Sequence, residues 1–289
     1  MAPPKAILFD VGGVVVLSPF QAIREYELEN RIPLGYINAA IQRGPADTGA
    51  WQLIERGAAA LSPEWFAAFQ AQLSRPDVWR EYWISWAERG GGHADTGPAG
   101  RVSELGDQVP PVPRIEAEKV FWKMMRYSRR PDPWMYPALK RLRKLGAEQG
   151  KWVVGALSNT VHFPTGILDD EGVVFDKSII FDGEGRDSTD LREWFDVFLS
   201  SAHIGVRKPD GEAYELSVRE LSRVSEERGL GKVEVGDVLF LDDIGINLKN
   251  AKKVGLRTIK VNLGETREAV RLLEREVGVP LVDENRSKL

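Results

Sequence analysis

The chain contains no cysteine. Disulfides, zinc–thiolate sites and thiol nucleophiles are therefore excluded. Histidine is scarce as well: the three present, His93, His162 and His203, lie far apart. No histidine-rich metal centre is expected, so a bound metal would have to be held by oxygen. No apolar run approaches the ~20 residues that a membrane-spanning helix needs. Charge of one sign is not concentrated anywhere. The formal net charge is −4 with acidic and basic residues interspersed, which argues against a nucleic-acid partner. The amino-terminal MAPPK leads straight into the apolar Ala6–Phe9, without the pattern of a secretory leader. What is present is the composition of a globular protein, 289 residues with 43% hydrophobic and 28% charged, long enough for a sizeable core.

Four apolar runs have strand length: Ala6–Phe9, Trp152–Leu157, Val238–Leu241 and Thr258–Val261. Continuous rather than alternating hydrophobicity marks strands buried on both faces. Pro137–Leu145 carries Leu139, Leu142 and Leu145 at helical spacing, with Lys140, Arg141, Arg143 and Lys144 opposite; Glu212–Val224 is a second amphipathic helix. Strands alternating with helices predict an α/β fold, a Rossmann-like doubly wound parallel sheet covered on both faces.

The gap from Phe9 to Trp152 is too long for one crossover helix. It predicts a helical module, 18–130, inserted into a core made of 1–17 and 131–289. Within the module Phe20–Asn30, Tyr36–Gln42, Trp51–Glu55, Pro63–Leu73, Val78–Ala87 and Ile115–Tyr127 read as helices. Gly90–Pro113, crowded with glycine and proline, reads as an exposed, disordered loop, and Asp169–Asp190 as a surface excursion. Six of the nine tryptophans fall in the module, and Trp79, Trp83 and Trp86 share one helical face. Packing of the module's own core is their expected role; contact with an apolar part of a substrate is the alternative.

Four short constellations carry candidate chemistry, each at or beyond the end of a strand or the start of a helix. In Phe9-Asp10-Val11-Gly12-Gly13-Val14, Asp10 projects from the end of the first strand, where a carboxylate is competent to attack phosphorus. An Asp-x-Gly turn is also ordinary loop chemistry. In Leu157-Ser158-Asn159, a hydroxyl and an adjacent backbone N–H suit a phosphate oxygen, although Ser and Asn commonly cap helices. In Gly205-Val206-Arg207-Lys208-Pro209-Asp210, Lys208 offers a fixed cation, or merely a solvated lysine before a helix. In Phe240-Leu241-Asp242-Asp243-Ile244-Gly245-Ile246-Asn247, two adjacent carboxylates repel each other unless a cation lies nearby. Mg2+, which prefers oxygen ligands, suits them; a solvated acidic turn is the plain alternative.

The order, spacing and placement of these four motifs resemble the haloacid dehalogenase superfamily. The resemblance covers about Lys5–Val16 and Trp134–Val261, and the inserted module matches the helical cap of that superfamily by position only. Through Ser200–Asp210 and Phe240–Lys249 the chain is most similar to the phosphatase-like amino-terminal domain of soluble epoxide hydrolases. The likeness does not extend to epoxide hydrolysis. It implies a Mg2+-dependent phosphohydrolase that acts on a small phosphorylated metabolite through an aspartyl-phosphate. Asp10 is then nucleophile and metal ligand, and the Gly12 carbonyl, Asp243 and the supporting Asp242 complete the protein's metal site. Ser158 and Asn159 bind the phosphoryl group, Lys208 neutralises it, and Asn247 holds the loop after the paired carboxylates. One departure stands out. Phosphatases of this superfamily usually carry a second Asp, a proton donor, at the position of Gly12. A glycine there can also hold a positive φ that Asp tolerates poorly.

The missing acid keeps two other readings open. A metal-independent 2-haloacid dehalogenase needs no second Asp, although the Asp242-Asp243 pair argues against it. A catalytically impaired binding protein of the same fold would lose turnover. A phosphonate-cleaving relative would need a lysine in the inserted module, and from Lys5 until Lys119, near the module's end, there is none. Finally, Ser287-Lys288-Leu289 reads as a peroxisomal import signal recognised by its receptor; otherwise a cytoplasmic location is expected.

Overall fold

The computed structural model describes residues 2–89, 109–181 and 188–282. Most of the Gly90–Pro113 stretch, part of Asp169–Asp190 and the terminal Ser287-Lys288-Leu289 lie outside the described residues. The chain divides into two compact units: residues 1–18, 128–161 and 176–289 form one, and residues 19–127 and 162–175 form the other.

The first unit is built on a five-stranded, all-parallel sheet. Its strands are β1 (Ala6–Phe9), β2 (Val153–Ser158), β3 (Val197–Ser200), β4 (Val238–Asp242) and β5 (Arg257–Lys260), in the spatial order β3-β2-β1-β4-β5. The three central strands, AILF, VVGALS and VLFLD, are buried along their whole length, as continuous apolar runs require. Alternate side chains enter different cores. Ile7 and Phe9 join Val154, Ala156, Leu239 and Leu241 on one face, against Leu139 and Leu142 of helix Met135–Gln149 and Val270 and Leu273 of helix Thr266–Val277. Ala6 and Leu8 join Val153, Leu157, Val238 and Phe240 on the other, against Tyr214 and Leu221 of helix Gly211–Glu227 and Leu248 and Ala251 of helix Gly245–Val254. The α/β doubly wound architecture follows.

β1 pairs with β2 on one side and β4 on the other, with Phe9 level with Ala156 and Leu241. The strand order therefore reverses between β1 and β4. In open parallel sheets, a crevice opens at such a switch point beyond the carboxyl ends of the strands. β3, a four-residue edge strand, does not stand out in the sequence; its register pairs Ser200 with Ser158.

The second unit is helical, with helices Pro19–Glu29, Tyr36–Gln42, Ala50–Glu55, Pro63–Leu73, Pro76–Glu88 and Ala117–Tyr127 among its described residues. Aromatic packing dominates it: Trp65 stacks on Phe69 with ring centroids 5.0 Å apart, and Phe121 meets Trp65 edge-on at 5.2 Å. Trp79 is buried and meets Tyr36 edge-on at 4.8 Å, while Trp83 and Trp86 are half-buried. Residues 162–175 join this unit because Phe175 packs 5.1 Å from Trp122 and Arg126 bonds Asp169 and Asp170 at 3.1 and 2.7 Å. Buried Glu27 accepts hydrogen bonds from the backbone N–H groups of Gly35 and Ile37, 2.6 and 2.7 Å away, where the second helix begins. Burial outweighs those two bonds and pushes its carboxyl up to about 7.

Candidate active site

β1 ends at Phe9, and the next residue, Asp10, stays tied to the sheet by its backbone N–H, which donates to Leu241 O on β4 at 2.8 Å. The chain then closes a tight loop. The N–H groups of Val14, Val15 and Val16 all reach the carbonyl of Val11, and Val14, Val15 and Val16 are buried beneath. Asp10 is thus held at the carboxyl end of β1 by apolar anchors on both sides of it in sequence.

Lys208 arrives from the connection between helix Ser201–Ile204 and helix Gly211–Glu227. Its side chain is only 1% exposed, so its charge must be paired. Nζ lies 2.7 Å from Asp10 Oδ1 and 2.8 Å from Asp242 Oδ2. The backbone N–H of Val11 also donates to Asp10 Oδ1, at 2.7 Å. Asp242, fully buried at the end of β4, is otherwise saturated: Ile244 N donates to Oδ1 at 2.7 Å, and Asn247 Nδ2 lies 3.2 and 3.1 Å from its two oxygens. Asn247 is fixed in turn, since its carbonyl accepts a 2.9 Å bond from the buried Tyr214 hydroxyl.

Asp243 is different. Its Oδ1 is buried and has no hydrogen-bond partner among the described residues. Its Oδ2 lies against Gly13, where a Cβ would come within 2.3 Å of it. Gly13 is the left-handed residue of the loop, with φ 81°, and Gly12 is not. Carboxylate oxygens of Asp10, Asp242 and Asp243 lie within 4.8 Å of one another.

Among the described residues, one buried cation therefore faces three carboxylates. Burial pushes the Asp10 carboxyl well above its usual range; Lys208 pulls it down, and Asp242 and Asp243 push it up again. Burial, then the charge of Asp242, raises Asp243 to about 7 against the pull of Lys208. Burial alone would lower the Lys208 pKa, but Asp10 and Asp242 outweigh it and hold the ammonium above its usual value. The cluster is short of positive charge, and its donor set is all oxygen.

Ser158 ends β2 and is buried beside Ser200 of β3. The next residue, Asn159, turns its side chain to the backbone of Lys208. Gly12 is half-buried in the loop, forming an isolated bridge with Val16. Sequence reasoning passed over Gly13, Thr160, Ser200 and His203. Thr160 Oγ1 and Ser200 Oγ lie 2.5 Å apart, and Ser200 Oγ lies 2.7 Å from His203 Nδ1. The doubled glycine after Asp10 was the one available signal of close packing there.

No protein-family model matches the chain. Over 279 residues, 96% of its length, it is 27% identical to acyl-CoA dehydrogenase family member 10 of Mus musculus, of which it covers 19%. Over 93 residues, 32% of its length, it is 37% identical to bifunctional epoxide hydrolase 2 of Sus scrofa, of which it covers 15%. The chain thus spans about a fifth or less of the length of the curated relatives it matches. Among solved structures it is similar to a HAD-family enzyme of Bacteroides thetaiotaomicron in complex with magnesium and inorganic phosphate. That likeness has 17% identity, covers 91% of this chain and 96% of that one, and has a TM-score of 0.42. It is also similar to an L-2-haloacid dehalogenase at 16% identity, over 94% of this chain and 100% of that one, with a TM-score of 0.48.

Proposed function

We propose that this chain, which resembles the haloacid dehalogenase superfamily, is a Mg2+-dependent phosphohydrolase acting on a small organic phosphate. The observation that carries the reading is the pairing of Lys208 with Asp10, 2.7 Å apart, beside an Asp243 whose buried Oδ1 has no partner among the described residues. An orphaned, buried carboxylate oxygen in a site short of positive charge fits a hard divalent cation. Asp10 and Asp243 would hold Mg2+ with the Gly12 carbonyl, and Asp242, its oxygens already engaged, would support them through Lys208 and Asn247. When bound, the ion would offset the negative charge of the carboxylates and the phosphoryl oxygens.

Lys208 and Val11 N–H both lie on Asp10 Oδ1, which leaves Oδ2 to attack phosphorus. The new bond joins Oδ2 to phosphorus, and the bond from phosphorus to the substrate oxygen breaks with its electron pair going to the leaving alcohol. Ser158 binds a phosphoryl oxygen, and Lys208 offsets the charge that builds up on the transferred group. Water then attacks phosphorus, releasing orthophosphate and restoring Asp10. Gly12 has no side chain to protonate the leaving group, so a water or another group supplies that proton. Most of the helical unit, residues 19–127, is inserted between β1 and β2, where the superfamily carries its cap.

A metal-independent dehalogenase would also manage without an acid at Gly12, but it gives the buried Oδ1 of Asp243 nothing to do. The deciding experiment is hydrolysis of an aryl phosphate with Mg2+ and with a chelator. Phosphate release that needs Mg2+ and disappears in Asp10→Asn is the expected result; full activity in the chelator contradicts it. Where Leu289 is the natural terminus, Ser287-Lys288-Leu289 would direct the enzyme to peroxisomes.

A further inference from the structure

We infer that Asn159 is a positioning residue that acts through Lys208 and not by gripping the phosphoryl group. Both ends of its amide are spent on one residue 49 positions later. Oδ1 accepts the Lys208 N–H at 2.9 Å, and Nδ2 donates to the Lys208 carbonyl at 3.0 Å. The side chain thereby copies the paired N–H···O bonds that a neighbouring strand would exchange with Lys208. Lys208 needs such a partner because it lies in a connection between helices, outside the sheet ladder.

Asn159 is itself held. It follows the last residue of β2, and the next residue ties the loop to the end of β3: Thr160 N donates to Ser201 Oγ at 2.9 Å, and Thr160 Oγ1 lies 2.5 Å from Ser200 Oγ. A continuous path then runs from the sheet through Asn159 to the Lys208 backbone, and along a buried side chain to Nζ. There the ammonium meets Asp10 and Asp242 at 2.7 and 2.8 Å. These two contacts tolerate little movement of the Lys208 backbone. A misplacement of about 1 Å in a catalytic constellation costs up to roughly 10²-fold in rate.

This inference rests on the phosphohydrolase reading for its catalytic meaning, and two readouts keep the two apart. With isotope-labelled lysine, the enclosed Lys208 ammonium gives a slowly exchanging Nζ–H signal, assigned by its absence from Lys208→Arg. Asn159→Ala is expected to abolish or broaden that signal. It should also lower kcat on an aryl phosphate by about 10- to 100-fold, with KM changed by no more than about twofold. A signal that survives Asn159→Ala overturns the inference, the more plainly if KM and the inhibition constant of inorganic phosphate rise instead. If Asn159→Ala does not fold, Asn159→Asp is read in the same way. It keeps the acceptor for Lys208 N–H but sets a carboxylate oxygen against the Lys208 carbonyl in place of the donor, so a loss of the same order is expected. An inactive wild type whose Lys208 signal still depends on Asn159 overturns the phosphohydrolase reading and leaves the positioning intact.

Discussion

Replacing Gly13 with alanine tests whether the placement of Asp243 matters to the chemistry. Gly13 has φ 81°, a conformation that costs an alanine about 1–2 kcal/mol. Its new Cβ would lie 2.3 Å from Asp243 Oδ2, 3.0 Å from Asp243 Cγ and 3.1 Å from Ser18 Oγ. Carbon and oxygen do not approach to 2.3 Å, so the Asp243 carboxylate has to move by roughly 1 Å towards an ordinary contact. Asp243 neighbours Asp242, which is locked by Lys208, Ile244 and Asn247, so the movement falls on the Asp243 side chain. We expect Gly13→Ala to lower the melting temperature modestly and to raise the Mg2+ concentration for half-maximal aryl phosphate hydrolysis by about 10- to 100-fold, the range typical of disturbed metal surroundings. The assay is a Mg2+ titration of phosphate release, with a thermal melt to show that the variant is folded. An unchanged Mg2+ dependence in a folded Gly13→Ala would refute the place given to Asp243.

Gly12→Asp tests the missing acid. Gly12 is not left-handed, so no left-handed strain opposes the change, and alkyl phosphates should accelerate by about 10²-fold while aryl phosphates change little; no acceleration of alkyl phosphates by a folded variant would show that the wild type already has an acid. Glu27 makes stability depend on pH. Its folded pKa, about 7, lies above its ordinary 4.5, so its contribution is complete below pH 4.5 and is lost as pH rises through 7, on the order of 3 kcal/mol in all. Glu27→Gln gives up one of two backbone bonds, about 1 kcal/mol, and should be the less stable protein in urea melts at pH 4.5 and the more stable at pH 7.5; a constant difference would contradict this. Where Leu289 is the natural terminus, a fusion that keeps it is expected in peroxisomes and one without it in the cytosol, and a diffuse intact protein would sink the targeting reading.

Much of the fold was legible because its central strands are buried on both faces, and such strands announce themselves as unbroken apolar runs: AILF, VVGALS and VLFLD. β3 was not, because four residues at a sheet edge carry too little pattern to stand out from a loop. Asp10, Lys208, Asp242 and Asp243 could be picked out since each follows a strand or precedes a helix, and the fold does bring them within bonding or near-bonding reach. Their individual tasks were less legible. Which of Gly12 and Gly13 is left-handed depends on how the loop closes over Val11, and which of two adjacent aspartates is saturated depends on Ile244 N and Asn247. The partner of Asn159 lies across the sheet's end, 49 residues on, beyond any local pattern. Residues 162–175 belong with the helical unit through Phe163, Phe175 and Arg126, contacts with no periodic signature.

In the proposed reaction Asp10 forms a covalent bond to phosphorus. Mixing the enzyme with an aryl phosphate and Mg2+, quenching within the first turnover and reducing with borohydride would convert an aspartyl-phosphate to homoserine, which mass spectrometry locates in the peptide. Homoserine is expected at position 10, dependent on Mg2+ and absent from Asp10→Asn. An intact Asp10 in quenched enzyme that has already released a burst of the aryl alcohol would contradict it.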